Sequence, residues 1–141
     1  MYPDGLDILV VDHDPARRSR IEQIVAREGF TAAGANEGLA ALRLLGQRRF
    51  ALIIAAIGLP GSLDGLATVR QARARQPWLR ALFTGDAAER PRRGDPEGDD
   101  FIAAPFHPSE LLGCVFELLH REAASAGCDG PRGRSIRLCA S

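Results

Sequence analysis

The sequence predicts an α/β protein with a doubly wound parallel sheet that carries helices on both faces. The first observation is a pair of short, mostly apolar runs, residues 6–11 (LDILVV) and 52–57 (LIIAAI), of which the second is continuous. Short apolar runs bounded by turn-forming residues are typical of strands buried on both faces. The second observation is that strand and helix patterns alternate five times along the 141 residues. Such an alternation predicts parallel strands joined by crossover helices.

Length and composition predict one ordinary soluble domain, because 141 residues suffice for a sizeable core and 45% of them are hydrophobic. Lys plus Arg equals Asp plus Glu at 18 each, so no charge excess favours a nucleic-acid or membrane partner. The three cysteines lack CxxC spacing, and no apolar run approaches the ~18 residues of a membrane helix. We therefore expect a cytoplasmic protein without nucleic-acid or membrane contacts.

The first strand pattern leads directly into a helix start. It ends at Asp12, and Asp14 followed by Pro15 combines an acidic N-cap with proline at the first helical position. This first helix is expected to end at Gly29.

A weak strand over 30–35 and a second helix are predicted next. Asn36 is the expected N-cap of this helix, which should continue to about Gln47. Its apolar spacing predicts an inward stripe formed by Leu39, Leu42 and Leu45.

The apolar run 52–57 is the third and central strand. After it, Asp64 or Gly65 should begin a third helix that continues to Gln76, because Pro77 follows. Residues 80–84 (RALFT) predict the fourth strand.

The segment 85–100 is rich in proline and glycine, so it can hold a helix of only about one turn before Pro91. The fourth helix is therefore expected to be shortened or irregular. Residues 100–104 predict the fifth strand, and Pro105 and Pro108 introduce a last helix. The inward face of that helix should comprise Leu111, Leu112, Val115, Phe116, Leu118 and Leu119.

The end of the chain lacks periodicity. We expect the domain to span residues 1–121 and a flexible tail to span 122–141, with 135–139 as a candidate edge strand. A tail of this length is too short for a DNA-binding output module.

Five segments, ILVVDHDPARR, GLAAL, LIIAAIGLPGSLDG, LFTG and DDFIAAPFHPSELL, resemble the receiver domains of response regulators in order and spacing. The resemblance covers residues 6–120. It implies a flavodoxin-like fold with strand order 2-1-3-4-5. It also implies phosphoryl transfer from a kinase phosphohistidine to an aspartate that ends the third strand. Neighbouring carboxylates hold a divalent cation in that reaction, and a hydroxyl and a lysine bind the transferred oxygens.

The resemblance places Ala56 at the phosphoacceptor position, four residues before Pro60, and an alanine methyl cannot accept a phosphoryl group. The lysine position is occupied by Ala104. The acidic pair is Asp12 and His13, so one carboxylate is replaced by an imidazole. Joint absence of these groups is typical of a naturally diverged receiver, since a single engineered substitution would remove only one.

Two functional positions keep their residue type, the hydroxyl position as Thr84 and the switch aromatic as Phe101. Without a phosphoryl group, Thr84 is expected to cap the next turn and Phe101 to pack. Asp12 and His13 are expected as solvated side chains at a strand end. Asp12 alone offers at most a weak Mg²⁺ site, so no cofactor is expected.

These observations predict a stand-alone receiver-like protein of a two-component system or phosphorelay that works by protein–protein contact and is not an enzyme. Its expected partners are a histidine kinase or another receiver, with a homodimer through the face of the fourth helix, fifth strand and fifth helix. One alternative is phosphorylation on another carboxylate, at Asp12, Asp14 or Asp64. The other is a small-ligand or metal sensor that uses Asp12, His13 and Thr84.

Overall fold

Five strands and four α-helices form the part of the chain that the structure describes. The structure is a computed structural model and describes residues 7–89 and 100–127. The strands are β1 (Asp7–Val11), β2 (Thr31–Ala35), β3 (Leu52–Ala56), β4 (Arg80–Gly85) and β5 (Phe101–Ala103). The helices are α1 (Pro15–Ala26), α2 (Gly38–Leu45), α3 (Gly65–Arg75) and α4 (Pro108–Gly127), with a 3₁₀ turn at Ala87–Glu89.

The strands form one sheet in the order β2-β1-β3-β4-β5, and all four neighbouring pairs are parallel. This order confirms the predicted 2-1-3-4-5 arrangement. β3 is the central strand, and every one of its residues is buried. The carboxyl ends of all strands therefore meet at one edge of the sheet, where a functional crevice is expected in this architecture.

Alternate residues of the central strand face two separate core layers. Ile53 belongs to the layer that packs with α2 and α3, whereas Ile54 belongs to the layer that packs with α1 and α4. Both side chains are at most 1% exposed. Burial on both faces explains why the strand appears as a continuous apolar run rather than an alternating one.

The first helix begins as predicted. Asp14 is its N-cap, and the Asp14 carboxylate accepts a hydrogen bond from the Ala16 amide at 3.0 Å. The helix ends at Ala26, and Gly29 follows with φ at +96°, a conformation that favours glycine. The Asp-Pro and Gly signals thus bracket the helix correctly.

The prediction for the second helix is wrong at its start. The cap position is Glu37 rather than Asn36, its side chain makes no capping hydrogen bond, and the helix begins at Gly38. A Cβ at Gly38 would meet the Thr68 hydroxyl, so the glycine allows α2 to approach α3 closely. The residues of α2 that face the core are Gly38 and those at helical spacing after it, rather than the predicted stripe that began at Leu39. Leu39 lies on the outer side and is 48% exposed; the buried residues are Gly38, Ala41, Leu42 and Leu45.

The 3₁₀ turn at Ala87–Glu89 is the single turn that was expected before the first proline, and residues 90–99 lie outside the described part. The helix after β5 is therefore α4 here, although the sequence predicts it as the fifth. It extends to Gly127, past the predicted domain boundary at 121–122. The predicted strand 135–139 lies outside the described residues. Among the described helices, none combines the length and apolar character needed to cross a membrane.

Candidate functional site

A crevice of about 210 Å³ opens at the carboxyl edge of the sheet, between the ends of β1, β3, β4 and β5. Four residues predicted from the sequence line it together: His13, Ala56, Thr84 and Ala104. They come from four different strand ends, which the parallel topology brings to one edge. The structure therefore assembles the predicted positions into one site.

Ala56 is the last residue of β3 and pairs with Thr84 of β4. The residue is 5% exposed. A Cβ at Gly65, the first residue of α3, would meet the carbonyl oxygen of Ala56, so the helix begins directly against the end of this strand. The floor of the crevice is thus formed by a small apolar side chain held between strand and helix.

Asp12 is neither solvated nor free, so the expectation of a solvated carboxylate is wrong. The residue is fully buried, and the Arg17 guanidinium binds both of its carboxylate oxygens. Arg17 Nε donates to Asp12 Oδ2 at 2.6 Å, and Arg17 Nη2 donates to Asp12 Oδ1 at 2.9 Å. Bidentate pairs of this kind are short and charge-assisted, which makes them strong hydrogen bonds.

Backbone and neighbouring groups complete the environment of this ion pair. The Asp14 amide donates to Asp12 Oδ1 at 3.0 Å, and Arg18 Nη1 donates to the Asp12 carbonyl oxygen at 2.9 Å. The hydrogen bond to Asp12 is the main cause that raises the pKa of Arg17, while partial burial acts in the opposite direction. The buried carboxylate is therefore compensated by a permanently charged group of the chain itself.

The divalent cation that the resemblance implies does not fit this arrangement. Both Asp12 carboxylate oxygens already accept hydrogen bonds from Arg17, and the Ala56 side chain offers no oxygen ligand. His13 Nδ1 lies 3.9 Å from Asp12 Oδ1, and its side chain is 53% exposed. Among the described residues, no group of three or more His, Cys, Asp or Glu side chains could hold a metal. Mg²⁺ prefers several oxygen ligands in octahedral geometry, and the described residues of this crevice do not bring enough carboxylates together to provide them.

Glu89 is a crevice residue that sequence analysis did not identify. It lies in the 3₁₀ turn after β4, and its Oε1 accepts a hydrogen bond from the Asp86 amide at 3.0 Å. A Cβ at Gly85 would lie 2.5 Å from Glu89 Oε1, and one at Gly58 would lie 3.0 Å from Oε2. Two glycines thus make room for this carboxylate at the mouth of the crevice. Glu89, rather than the predicted Thr84, closes the turn.

An apolar groove of about 460 Å³ lies beside the crevice, between the start of α1 and the connection from β5 to α4. Ala16, Ile21, Pro105 and Phe106 contribute apolar atoms to it, and Arg17 borders both the groove and the crevice. Phe101 does not line the crevice. It begins β5 at the sheet edge and is partly buried against the core layer of α2 and α3.

Comparison with known proteins identifies the family. The model of the response regulator receiver domain matches residues 8–116. The chain belongs to this family. Protein PetR of Rhodobacter capsulatus is 33% identical to this receiver over 124 residues, which are 85% of the chain and 52% of PetR. The response regulator MprA of Mycobacterium sp. is 32% identical over 127 residues, 88% of the chain and 55% of MprA. The chain thus spans about half the length of these relatives.

Solved structures of receivers share the fold. A CheY-like receiver domain protein from Methanospirillum hungatei superposes with a TM-score of 0.75 at 22% identity. The matched region comprises 85% of this chain and 98% of that protein's chain. NtrX from Brucella abortus gives a TM-score of 0.76 at 27% identity, with 84% of this chain matched to 28% of NtrX. These similarities confirm the flavodoxin-like architecture of this receiver.

Arg17 is the second crevice residue that sequence analysis missed in this receiver. It lies in the first turn of α1, which contains no acidic residue. Because cations are disfavoured at helix N-termini, an arginine at this position does not stabilise the helix itself. Arginine in the turn after an acidic strand end is the sequence signal that could have indicated the pairing.

Proposed function

We propose that this receiver is a signalling protein that acts by contact with a histidine kinase or another receiver and carries no aspartyl phosphate of its own. One observation carries the proposal: the carboxyl end of the central strand presents Ala56 to the crevice, where the family reaction needs a carboxylate nucleophile. Under this proposal the protein is not an enzyme and works in the cytoplasm.

The lysine that binds the transferred oxygens in the family reaction is also absent from this chain. Ala104 occupies the position implied for the lysine, and the 141-residue sequence contains no lysine at all. No other lysine of this chain can therefore bind the oxygens of a transferred phosphoryl group. Among the described residues, Arg17 is the arginine that lines the crevice, and it is bound to Asp12.

The structure also bears on the alternative nucleophiles. Asp12 is buried under Arg17, and Asp14 caps α1. Asp64 caps α3, with its Oδ1 accepting from the Ala67 amide at 2.8 Å. Each of these carboxylates thus has a structural role, which favours a receiver without phosphoryl chemistry over one that uses a substitute acceptor.

The decisive experiment is the intact mass of the protein after incubation with an acyl-phosphate donor and Mg²⁺. We expect an unchanged mass, while a receiver with an aspartate at the acceptor position, treated in parallel, gains one phosphoryl group. A stoichiometric adduct that is stable in acid and labile in base would contradict the proposal. Asp12→Asn, Asp14→Asn and Asp64→Asn variants would then locate the adduct.

The groove beside the crevice is the surface that we propose for partner contact, because it is apolar and borders Arg17. Ala16 is exposed at its rim, so Ala16→Arg should block it without disturbing the core. Ser19→Arg places the same charge at another exposed position of α1 and serves as the control. We expect a histidine kinase or receiver to copurify with the unmodified protein and the control but not with Ala16→Arg. Equal recovery with all three would exclude this groove as the contact surface and direct the search to the other predicted face, around the fifth strand and the last helix.

A further inference from the structure

Arg17 binds Asp12, the carboxylate that the family resemblance assigns to a divalent cation. We propose that its guanidinium takes the place of that cation, supplies the positive charge of the crevice and excludes metal ions from Asp12. The inference deepens the proposed function and rests on it, because only a receiver that needs no phosphoryl group can do without the metal. It concerns a different event, cation binding, and is tested separately.

The geometry of the ion pair supports this role. Asp12 Oδ1 accepts from Arg17 Nη2 at 2.9 Å and from the Asp14 amide at 3.0 Å, while Oδ2 accepts from Arg17 Nε at 2.6 Å. A metal ion at this carboxylate would have to displace a guanidinium that is bound by two hydrogen bonds. Since Asp12 is fully buried, solvent does not weaken the pair on the carboxylate side.

The position of Arg17 in α1 is the second line of support. Asp14 Oδ2 lies 3.7 Å from Arg17 Nη1, so the guanidinium sits between two carboxylates. A cation in the first turn opposes the helix dipole. The contacts with Asp12 and Asp14 offset this unfavourable position, which indicates that Arg17 serves the crevice rather than the helix.

A guanidinium differs from a metal ion in one functional respect. It is covalently attached and stays protonated at any physiological pH, so neither chelation nor a change in Mg²⁺ concentration can remove it. The positive charge beside Asp12 should therefore not depend on the supply of metal ions in this receiver.

The first part of the test compares the melting temperatures of Arg17→Ala and Arg20→Ala. Arg20 is exposed on the same helix and is the matched control. We expect Arg17→Ala to melt lower by roughly 10 °C, because it leaves a buried carboxylate without its partner, and Arg20→Ala to change by less than about 2 °C. EDTA or Mg²⁺ should leave the melting temperature of the unmodified protein unchanged. Equal melting of the two variants, or stabilisation of the unmodified protein by Mg²⁺, would overturn the proposal.

The second part measures Mn²⁺ affinity from the electron paramagnetic resonance signal of the free ion. The His13→Asp/Ala56→Asp variant supplies carboxylates at all three implied ligand positions and is compared with and without Arg17→Ala. We expect Arg17→Ala to raise the affinity roughly ten- to hundredfold, and Arg20→Ala in the same background to leave it unchanged.

Arg17→Lys provides the same comparison if Arg17→Ala fails to fold, because lysine keeps the charge but cannot bind both oxygens in a fork. Its Mn²⁺ affinity should exceed that of the arginine form. Equal affinities with arginine, lysine and alanine would overturn the proposal. Because this measurement counts bound Mn²⁺ and not a phosphoryl adduct, its failure leaves the mass experiment unaffected.

Discussion

Cys114 lies on α4 with its side chain partly buried against the core layer of α1 and α4. Burial is the main cause that raises the pKa of the Cys114 thiol from 9.0 to about 11, and Asp100 adds to the effect. The thiolate is the nucleophilic form, so the folded protein should keep this thiol unreactive at neutral pH.

We predict that Cys114 reacts with Ellman's reagent at pH 8 at least ~10-fold more slowly in the native protein than in urea. A Cys128→Ser/Cys139→Ser background leaves Cys114 as the one thiol of the chain. Similar native and denatured rates, at equal reagent concentration, would show that burial does not suppress the thiolate.

The same pKa change predicts a pH dependence of the free energy of unfolding. Because the folded pKa is raised, the folded state holds the proton more tightly. The resulting stability is present below pH 9 and is lost as the pH rises from 9 towards about 11. The chain has no lysine, so few other groups titrate in this window. A Cys114→Ser variant should show a flatter urea midpoint between these pH values, and an identical decline in both proteins would assign it to other groups.

Asp12 shows what a sequence reveals about a single residue and what it does not. Its place at the end of the first strand follows from the apolar run before it. Its burial does not, because it depends on a side chain from the next helix that reaches back across the turn. Asp14 and Pro15 could be recognised as a helix start, since their signal is local. The pairing with Arg17 is a tertiary contact, which local patterns do not specify.

At the scale of elements, Gln76 joins the end of α3 to the segment between α2 and β3. It is 4% exposed, and its Oε1 accepts from the Phe50 amide at 2.9 Å. Its Nε2 donates to the carbonyl oxygens of Leu45 and Arg48, each at 2.9 Å. One side chain thus satisfies three backbone groups where two elements end, and such buried groups are costly when they lack partners.

We predict that Gln76→Ala lowers the free energy of unfolding by about 3 kcal/mol, because it removes two buried hydrogen bonds, to Phe50 and Leu45, and a part-buried one to Arg48. Gln71→Ala is the matched control, since Gln71 is exposed on the same helix and its substitution should cost less than about 0.5 kcal/mol. Urea denaturation of both variants measures the difference. Equal midpoints would mean that water replaces the side chain without cost.

The second helix illustrates why element boundaries were harder to predict than the elements themselves. The leucine spacing correctly indicated a helix between β2 and β3. The helix begins at Gly38, which packs closely against α3, one residue later than an Asn36 cap would give, and Leu39 faces solvent rather than the core. Helix phase is therefore set by packing between elements, which the spacing of three leucines does not determine.

At the scale of the whole molecule, the sheet divides the core into two layers that share β3. Ile53 and Ile54 are adjacent in sequence but face opposite layers. We predict that Ile53→Val and Ile54→Val each cost about 0.5–1.5 kcal/mol and that the double variant costs their sum to within about 0.5 kcal/mol.

This additivity is expected because the two side chains contact different helices. All three variants should still unfold in one transition, with circular dichroism and fluorescence curves that coincide, since both layers depend on the same strands. Two separate transitions would show that the layers unfold independently. A cost far above the sum would indicate that the layers are coupled through β3.

The fold as a whole was predictable because its signals repeat. Each buried strand produces an apolar run, and each crossover produces a change from a strand pattern to a helix pattern. The order of the family segments agrees with the order of these elements. Function was less predictable because it depends on single positions. The sequence places Ala56, Asp12 and Ala104 relative to the family, but the ion pair of Asp12 and the carboxylate of Glu89 at the crevice mouth became apparent only from the folded chain.

The methyl group of Ala56 also affects what determines the duration of a response. A covalent phosphoryl mark has a lifetime set by its own hydrolysis, so a protein that bears one resets itself. Ala56 cannot bear such a mark, and under the proposed function the duration of the response depends on how fast the protein is made and degraded and how long each complex lasts. The strength of the signal then follows the concentration of the protein, and its duration follows the dissociation rate of the complexes rather than the hydrolysis rate of a phosphoryl group.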